Sequence, residues 1–230
     1  MVFAAGLGTR MRPLTLETPK PLVRVAGQSL IDYALDDCAA AGVETAIVNV
    51  HHLADQIEAH LVGRRTPKII ISDERDLLLD QGGGIRKALP LIGEDPFYVW
   101  NTDAFWIDAP RANLLKLARA WNPELMDAAL LLAPTLGSVG VDWGGDFDVT
   151  PDGRILRPPG HRPYVYAGVG LLKPQLFAQE TQDVFKLAPF FFAAAEQGRL
   201  FGVVSEGLWL HVGAIEAIGA AERAIAARRR

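Results

Sequence analysis

The chain has 230 residues, of which 50% are hydrophobic and 22% are charged, and its net charge is −4. These values predict one domain over residues 1–230 with a substantial core, and they argue against a disordered chain. The acidic balance disfavours nucleic acid as a partner, because nucleic-acid-binding domains normally present a basic face. No apolar run reaches the roughly 18 residues of a membrane span and no signal peptide is recognisable, so we expect a cytoplasmic protein without a membrane partner. The lone Cys38 fits a reducing compartment.

Strands and helices alternate through the first part of the chain. We predict strands at 1–5, 45–50, 68–72, 97–101 and 128–133, an extended piece at 21–25, and helices at 30–41, 53–61, 85–91 and 111–121. The continuous apolar run at 45–50 is typical of a strand that is buried on both faces of a parallel sheet. The alternation predicts a Rossmann-like α/β fold with a mixed, mainly parallel sheet and helices on both faces.

From about residue 140 the chain becomes richer in short β segments. Asp152 and Gly153 predict a hairpin turn, and further elements follow it: a strand at 164–172, helices at 174–179 and 186–197, a strand at 201–205, a turn at 209–213 and a terminal helix at 214–230. The basic residues 228–230 are expected to form a solvated helix end. The first strand is short, which leaves open whether residues that precede Met1 are missing from this sequence.

A glycine-rich loop directly follows the first strand. Residues 6–15 read GLGTRMRPLT, and Lys20 stands between two prolines shortly afterwards. Glycines let the backbone N–H groups approach an anion, and Arg10, Arg12 and Lys20 can neutralise it. Three cations beside a bare loop repel one another unless an anion is present. The loop therefore predicts a polyphosphate site.

A dinucleotide-binding fingerprint is the main alternative for this loop. That fingerprint needs a third glycine where Met11 stands, and an acidic residue at the end of the second strand, which residues 45–50 lack. An NAD-dependent oxidoreductase is therefore disfavoured, and a plain structural turn remains the other alternative.

The order of motifs resembles that of the sugar-1-phosphate nucleotidylyltransferases. The resemblance is carried by residues 4–15, by 19–22, by the turn at 81–84 and by a strand that ends in Asp103, and it covers nearly the whole chain. It implies the nucleotide-diphospho-sugar transferase fold, which is GT-A-like, with a nucleotide-binding half at 1–135 and a β-rich, sugar-binding half at 136–230. It also implies attack by a sugar 1-phosphate on the α-phosphorus of a nucleoside triphosphate, so these two small molecules are the expected partners.

The resemblance also implies roles for residues on the nucleotide side. The nucleotide would be held by Ala5, Gly6, Gly8, Thr9, Arg10, Lys20, His52, Gln81 and Gly83. Arg10, Lys20 and Asp103 would be the catalytic residues, with Asp103 as a ligand of Mg²⁺, a cation that prefers carboxylate oxygens. For His51 and His52, a nucleobase pocket and an ordinary structural position are equally open.

On the sugar side, the resemblance points to Asn101, Asp146, Gly168 and Lys186. Asp146 either accepts a hydrogen bond from a sugar hydroxyl or shapes a turn. Lys186 either meets the sugar phosphate or is solvated at a helix start.

Two positions depart from the family pattern. His211 stands where the family has an aspartate that is the second metal ligand, and Thr102 replaces the usual glycine before Asp103. Imidazole is a poor ligand for Mg²⁺, which leaves three readings for His211: a water-mediated Mg²⁺ contact, a preference for Mn²⁺, or the loss of one ligand.

The compact length and the segments at 81–85 and 185–189 look most like the N-acetylmuramate α-1-phosphate uridylyltransferases of peptidoglycan recycling. Mannose-1-phosphate guanylyltransferase and glucose-1-phosphate uridylyl- or thymidylyltransferase remain as alternatives. His211 also leaves open a nucleotide-sugar-binding regulatory protein with weak turnover. We expect a monomer or a weak homodimer, because the assembly-bearing extension of larger relatives is missing.

Overall fold

The computed structural model describes residues 1–228, so Arg229 and Arg230 of the predicted basic end lie outside the described residues. The strands are β1 (Val2–Phe3), β2 (Arg24–Val25), β3 (Gln28–Ser29), β4 (Thr45–Val50), β5 (Lys68–Asp73), β6 (Phe97–Asn101), β7 (Ala104–Ile107), β8 (Ala128–Pro134), β9 (Asp148–Val149), β10 (Ile155–Leu156), β11 (Tyr164–Leu172), β12 (Leu200–Val204) and β13 (Leu208–His211). The helices are α1 (Leu30–Ala40), α2 (Ala54–Leu61), α3 (Asp80–Ile92), α4 (Pro110–Ala120), α5 (Ala188–Glu196) and α6 (Ile215–Arg228). Short 3₁₀ turns cover Thr9–Met11, Leu14–Leu16, Lys20–Leu22 and Pro174–Phe177.

A seven-stranded sheet with the order β12-β8-β11-β6-β1-β4-β5 forms the centre of the molecule. Strands β6, β1, β4 and β5 are parallel to their neighbours within this group, and β8 is parallel to β12. Only β11 in this sheet is antiparallel to both of its neighbours, β6 and β8. The predicted mixed, mainly parallel sheet is therefore confirmed, and strands from both halves of the chain build it.

Side chains of the central strands alternate between two apolar layers, as the period of a strand requires. On β8, Ala129 and Leu131 join one layer, in which α1, α2 and α4 pack. Leu130 and Leu132 join the opposite layer, in which α3 and α5 pack. Helices therefore cover both faces of the sheet, as predicted.

A two-stranded antiparallel ribbon of β7 and β13 lies beside the sheet. Trp209 pairs with Trp106 and His211 pairs with Ala104, and α6 packs against this ribbon through a third apolar cluster. The predicted turn at 209–213 is therefore wrong, because the glycines that flank this short apolar segment mark its ends rather than its centre. Among the described residues, no helix is both long enough and apolar enough to cross a membrane.

The helix predicted at 85–91 begins earlier than expected. Helix α3 starts at Asp80 and contains all three glycines of the 82–84 run. Gly82 and Gly83 donate backbone hydrogen bonds to the carbonyl of Phe185. Glycine propensity alone argues against helix here, and this tertiary contact outweighs it. The hairpin turn at Asp152 and Gly153 is confirmed by the pairing of β9 with β10.

We predict that Asp37→Asn stabilises the protein at high pH. Burial, followed by the negative charge of Asp36, raises the pKa of Asp37 to about 7, and the Oδ2 atom has no hydrogen-bond partner among the described residues. A raised pKa in the folded state means that this carboxyl contributes stability below its unfolded pKa, and that this contribution is lost as the pH rises towards 7. The variant should therefore gain about 2–4 kcal/mol in free energy of unfolding at pH 8 and little at pH 4, as measured by urea denaturation.

The matched control is Asp95→Asn, since Asp95 is exposed and forms no ion pair within the described part of the chain. Its free energy of unfolding should track that of the wild type at every pH. An Asp37→Asn variant with no gain at pH 8 would contradict the assignment.

Candidate active site

Three adjoining pockets open at the edge of the sheet where β1, β4, β5 and β6 end, the position at which open α/β sheets bind ligands. Pocket A, of about 450 Å³, is lined by Ala5, Gly6, Lys20 and Asp103 among others. Pocket B, of about 440 Å³, is lined by residues that include Arg10, Asp103, Gly168 and His211. Pocket C, of about 250 Å³, is lined by residues that include Asp146, Arg157, Arg162 and Tyr166. Gln81 and Asn101 line all three pockets, so the pockets form one continuous site.

The glycine loop leaves β1 and turns sharply at Gly8. Gly8 has a φ of +62°, and a Cβ atom at this position would lie 2.8 Å from the Cγ2 atom of Thr15. The Thr15 hydroxyl donates to the Gly8 carbonyl at 2.8 Å. Both the backbone conformation and the space therefore require glycine here. Thr9 and Arg10 follow on an exposed 3₁₀ turn, and Arg10 reaches pocket B.

The Asp103 carboxylate lies between two nitrogen donors that come from opposite ends of the chain. Its Oδ2 atom is 2.6 Å from the Lys20 ammonium and 3.5 Å from the His211 Nε2 atom. The two prolines around Lys20 fix the 3₁₀ turn on which it lies. The register of β7 and β13 sets His211 opposite Ala104, directly after Asp103 in the chain.

Burial by itself would raise the pKa of Asp103. The hydrogen bond from His211 and the positive charge of Lys20 outweigh that effect and hold the pKa well below its usual range. These two contacts therefore favour the ionised form of Asp103. A carboxylate at the boundary of pockets A and B can hold a cation there.

The His211 ring is fixed on several sides. It stacks on Trp209 with an interplanar angle of 2° and meets the edge of Trp143 with ring centroids 5.6 Å apart. Its Nδ1 atom lies 3.3 Å from the Gly140 carbonyl. These contacts orient the ring so that its Nε2 atom faces Asp103.

Thr102, the milder departure from the family pattern, has a structural role. Its side chain is 6% exposed, and its hydroxyl donates to the Phe3 carbonyl at 3.0 Å. This bond joins the ends of β1 and β6. It therefore fixes the backbone next to Asp103.

Two buried polar residues of pocket A escaped the sequence analysis. Asn49 accepts from the Ala4 amide and donates to Glu74 at 2.8 Å, while Glu74 also accepts from the Leu79 amide. Burial raises the pKa of Glu74, although these hydrogen bonds act in the opposite direction. The available signal was an asparagine inside the apolar strand at 45–50, together with the two acidic residues Asp73 and Glu74 that follow the predicted strand at 68–72.

The predicted nucleotide-binding residues divide into two groups. The structure brings together at the pockets Ala5, Gly6, Arg10, Lys20, Gln81 and Asp103. Gly8, Thr9, His52 and Gly83 do not line pockets A, B or C. The His52 Nε2 atom lies 2.7 Å from the Thr15 carbonyl and so braces the glycine loop. A Cβ atom on Gly83 would lie 2.0 Å from the Asp183 carbonyl, so this glycine is required for packing against residues 183–185.

The sugar-side residues are similarly divided. Asn101 accepts from Gln81 at 2.8 Å and lines every pocket. Gly168, with a φ of +82°, lines pocket B, where a Cβ atom would lie 2.9 Å from Ala104. Asp146 lines pocket C, but its oxygens accept from the Trp143 indole and the Tyr166 amide, so it braces the loop. Lys186 is exposed and lines none of the three pockets.

Comparison with known proteins gives the family. The family model described as Nucleotidyl transferase matches residues 1–135, more than half of the chain. The chain belongs to this family. The N-acetylmuramate alpha-1-phosphate uridylyltransferase of Caulobacter vibrioides is 49% identical over 98% of this chain and 96% of its own. The protein of the same name from Neisseria meningitidis serogroup B is 37% identical over 94% of this chain and 93% of its own. The predicted family and enzyme class are thereby confirmed.

Solved structures agree on the fold. UDP-glucose pyrophosphorylase complexed with UDP-glucose matches with a TM-score of 0.80 at 19% identity, over 99% of this chain and 97% of its own. HddC from Yersinia pseudotuberculosis, complexed with GMP-PN, matches with a TM-score of 0.74 at 19% identity, over 97% of each chain. At this identity the likeness shows the predicted nucleotide-diphospho-sugar transferase fold alone.

The donor set of the site can be tested against a divalent metal ion. Within residues 1–228, no group of three or more His, Cys, Asp or Glu side chains could hold such an ion. Asp103 and His211 together offer one carboxylate and one imidazole. Mg²⁺ takes one or two protein carboxylates and completes its octahedron with phosphate oxygens and water. Asp103 therefore suits such an ion when a triphosphate supplies further oxygens, whereas the His211 imidazole suits Mn²⁺ better than Mg²⁺.

We predict that Gly83→Ala destabilises the protein. The new methyl group would collide with the Asp183 carbonyl, a backbone atom that cannot rotate away. The free energy of unfolding should fall by about 1–3 kcal/mol in urea denaturation, the usual cost of overpacking. Gly219→Ala is the matched control within a helix, because there a Cβ atom would meet only the end of the Arg223 side chain. It should stabilise α6 by up to about 1 kcal/mol. Equal effects of the two changes would contradict the packing role of Gly83.

Proposed function

We propose that this protein transfers a uridylyl group from UTP to N-acetylmuramate 1-phosphate, forming UDP-N-acetylmuramate and pyrophosphate. The observation that carries the proposal is the 49% identity, over 98% of the chain, to an enzyme named for this reaction. The continuous site agrees with it, since pockets A and B meet at Asp103. We place the reaction in the cytoplasm, in peptidoglycan recycling.

In this proposal the two substrates meet at the boundary of pockets A and B. A phosphate oxygen of the sugar 1-phosphate attacks the α-phosphorus of UTP, and the bond from that phosphorus to the bridging oxygen of the β-phosphate breaks. Pyrophosphate leaves in line with the attacking oxygen. No residue is covalently modified. The protein therefore acts through positioning and charge neutralisation.

The cations have separate tasks in this proposal. Lys20, held against Asp103 at 2.6 Å, neutralises charge near the α-phosphorus. Arg10 offers its fork of donors to the phosphates from pocket B. Gly6 leaves open space, with no atom within 4 Å of a Cβ atom built on it, so that triphosphate oxygens can approach the backbone N–H groups.

We further propose Asp103 and His211 as the residues that hold Mg²⁺, with Mn²⁺ as the alternative ion. When bound, the ion supplies positive charge to phosphate oxygens. Lys20 and Asp103 form an ion pair in the protein alone. Lys20 is thereby kept at the place where the phosphates arrive, and the carboxylate remains ionised.

The proposal predicts a narrow substrate profile. Pyrophosphate release should be measured with a panel of sugar 1-phosphates and the five common nucleoside triphosphates, in Mg²⁺ and in Mn²⁺. N-acetylmuramate 1-phosphate with UTP should give the highest kcat/KM. The best pair being mannose 1-phosphate with GTP would contradict the sugar and the base while leaving the reaction class intact. Nucleotide binding without turnover across the whole panel would favour a regulatory protein.

Asp103 and His211 should respond differently to substitution. Asp103→Asn removes the only carboxylate of the pair and should lower kcat roughly 100-fold or more, since developing charge loses its support. His211→Asp supplies a harder ligand and should retain or increase the activity in Mg²⁺ relative to Mn²⁺. Initial rates over a range of each metal ion give the measurement.

The exposed Asp95→Asn makes the same chemical change away from the pockets and should retain the wild-type rate. Near-normal rates for Asp103→Asn would remove this residue from the site. A large loss in His211→Asp, with the variant still folded, would show that imidazole has a task of its own.

A further inference from the structure

Pocket C contains two arginines without an anionic partner. Arg157 and Arg162 both line this pocket of about 250 Å³. Among residues 1–228, neither guanidinium has a carboxylate within 4.0 Å, whereas Arg154, on the same hairpin, pairs with Asp152. Arg157 is exposed and Arg162 is half-buried, so both positive charges are open to a ligand that enters the pocket. Such a pair favours an anionic ligand.

Both arginines are held in place by contacts that leave donors free. The Arg157 guanidinium lies over the Phe192 ring, 3.4 Å from its centroid, and its N–H groups have no acceptor among the described residues. Arg162 uses its Nε atom to donate to the Pro158 carbonyl at 2.7 Å, and its terminal nitrogens have no described partner. A guanidinium carries five donors in a fixed fork. Each guanidinium is therefore held in position and retains N–H donors that a ligand can use.

The backbone around Arg162 is built to keep it there. Its amide donates to the Gly144 carbonyl at 2.7 Å. A Cβ atom on Gly145 would lie 2.1 Å from the Arg162 carbonyl, so only glycine permits this approach. Asp146 fixes the same loop through Trp143 and is not paired with either arginine. The Asp146 carboxylate therefore holds the loop in place and does not neutralise either arginine.

Pocket C adjoins pockets A and B, so one sugar can extend from them into it. It shares Gln81 and Asn101 with both other pockets and Tyr166 with pocket B. Its remaining wall includes Phe191, and the Tyr166 hydroxyl is buried with no hydrogen-bond partner in the described part of the chain. A sugar whose 1-phosphate lies at Asp103 can therefore extend a substituent into pocket C, where apolar groups and two cations receive it.

We propose that Arg157 and Arg162 form a carboxylate subsite that selects a sugar 1-phosphate bearing an acidic substituent. In N-acetylmuramate 1-phosphate this substituent is the lactyl ether, whose carboxylate is absent from N-acetylglucosamine 1-phosphate. The proposal rests on the proposed function for the place of the sugar phosphate. The arginines act as specificity determinants and take no part in the transfer itself.

The test compares binding of sugars that differ only in the acid. Calorimetry with a nonhydrolysable UTP analogue present should give tighter binding of N-acetylmuramate 1-phosphate than of its lactyl methyl ester or of N-acetylglucosamine 1-phosphate. We expect a difference of about 10- to 100-fold, as for hydrogen bonds to a charged group. Arg157→Gln and Arg162→Gln should each reduce this preference, while binding of N-acetylglucosamine 1-phosphate stays within about twofold.

Arg154→Gln is the matched control, because Arg154 lies on the same hairpin but outside pocket C, and it should leave the preference unchanged. Equal weakening for all sugars in the Arg157 and Arg162 variants would assign these arginines to the 1-phosphate and overturn the proposal. Equal binding of acid and ester by the wild type, or no binding of either, would also overturn it, and this readout needs no variant to fold.

The two proposals fail separately in this design. Acid-dependent binding without pyrophosphate release under UTP would sink the uridylyl transfer and leave the subsite standing. Uridylyl transfer to the acid and to its methyl ester with the same kcat/KM would overturn the carboxylate subsite and leave the proposed reaction standing.

Discussion

The Asp103 carboxylate, held between the Lys20 ammonium at 2.6 Å and the His211 ring at 3.5 Å, is the interaction on which the rest of the site depends. Each of the three residues comes from a different part of the fold. Lys20 follows the glycine loop, Asp103 follows β6, and His211 ends β13. Because their contacts close the boundary of pockets A and B, the glycine loop, the main sheet and the ribbon must all be formed before the site exists. The site is thus a property of the whole domain.

The antiparallel strand β11 connects the second half of the chain to the pockets. Parallel strands β1 and β6 present their carboxyl ends to the site, whereas β11 presents its amino end, with Tyr166 and Gly168. The register shift within β11, between Tyr166 and Gly170, falls at this point. A bulge of this kind redirects side chains beside a ligand site. The second half of the chain is thereby brought against the edge of the sheet at which the pockets open.

Glycines of the site have two different physical tasks. Gly6 and Gly8 both belong to the glycine-rich loop at 6–15. Gly8 adopts a left-handed conformation, and Gly6 leaves open space beside the backbone. Gly83 lies in a helix against the backbone of residues 183–185, where the absent side chain permits packing. The same residue type therefore leaves a loop open to the pocket in one motif and permits close contact of backbone segments in the other.

The sequence alone determined the family and the fold class, and it predicts a polyphosphate site at the glycine loop, because these follow from contiguous patterns: strand and helix periodicity, and glycines beside cations. It also identified Asp103 and His211 as related positions through resemblance. Only the tertiary structure decided that His211 faces Asp103, because that depends on the register of β7 with β13. It also decided that Asn49 and Glu74 form the floor of pocket A, and that Arg157 and Arg162 share pocket C. Contacts between distant segments leave no periodic signal in the chain, since each partner is chosen by packing and by the satisfaction of buried polar groups.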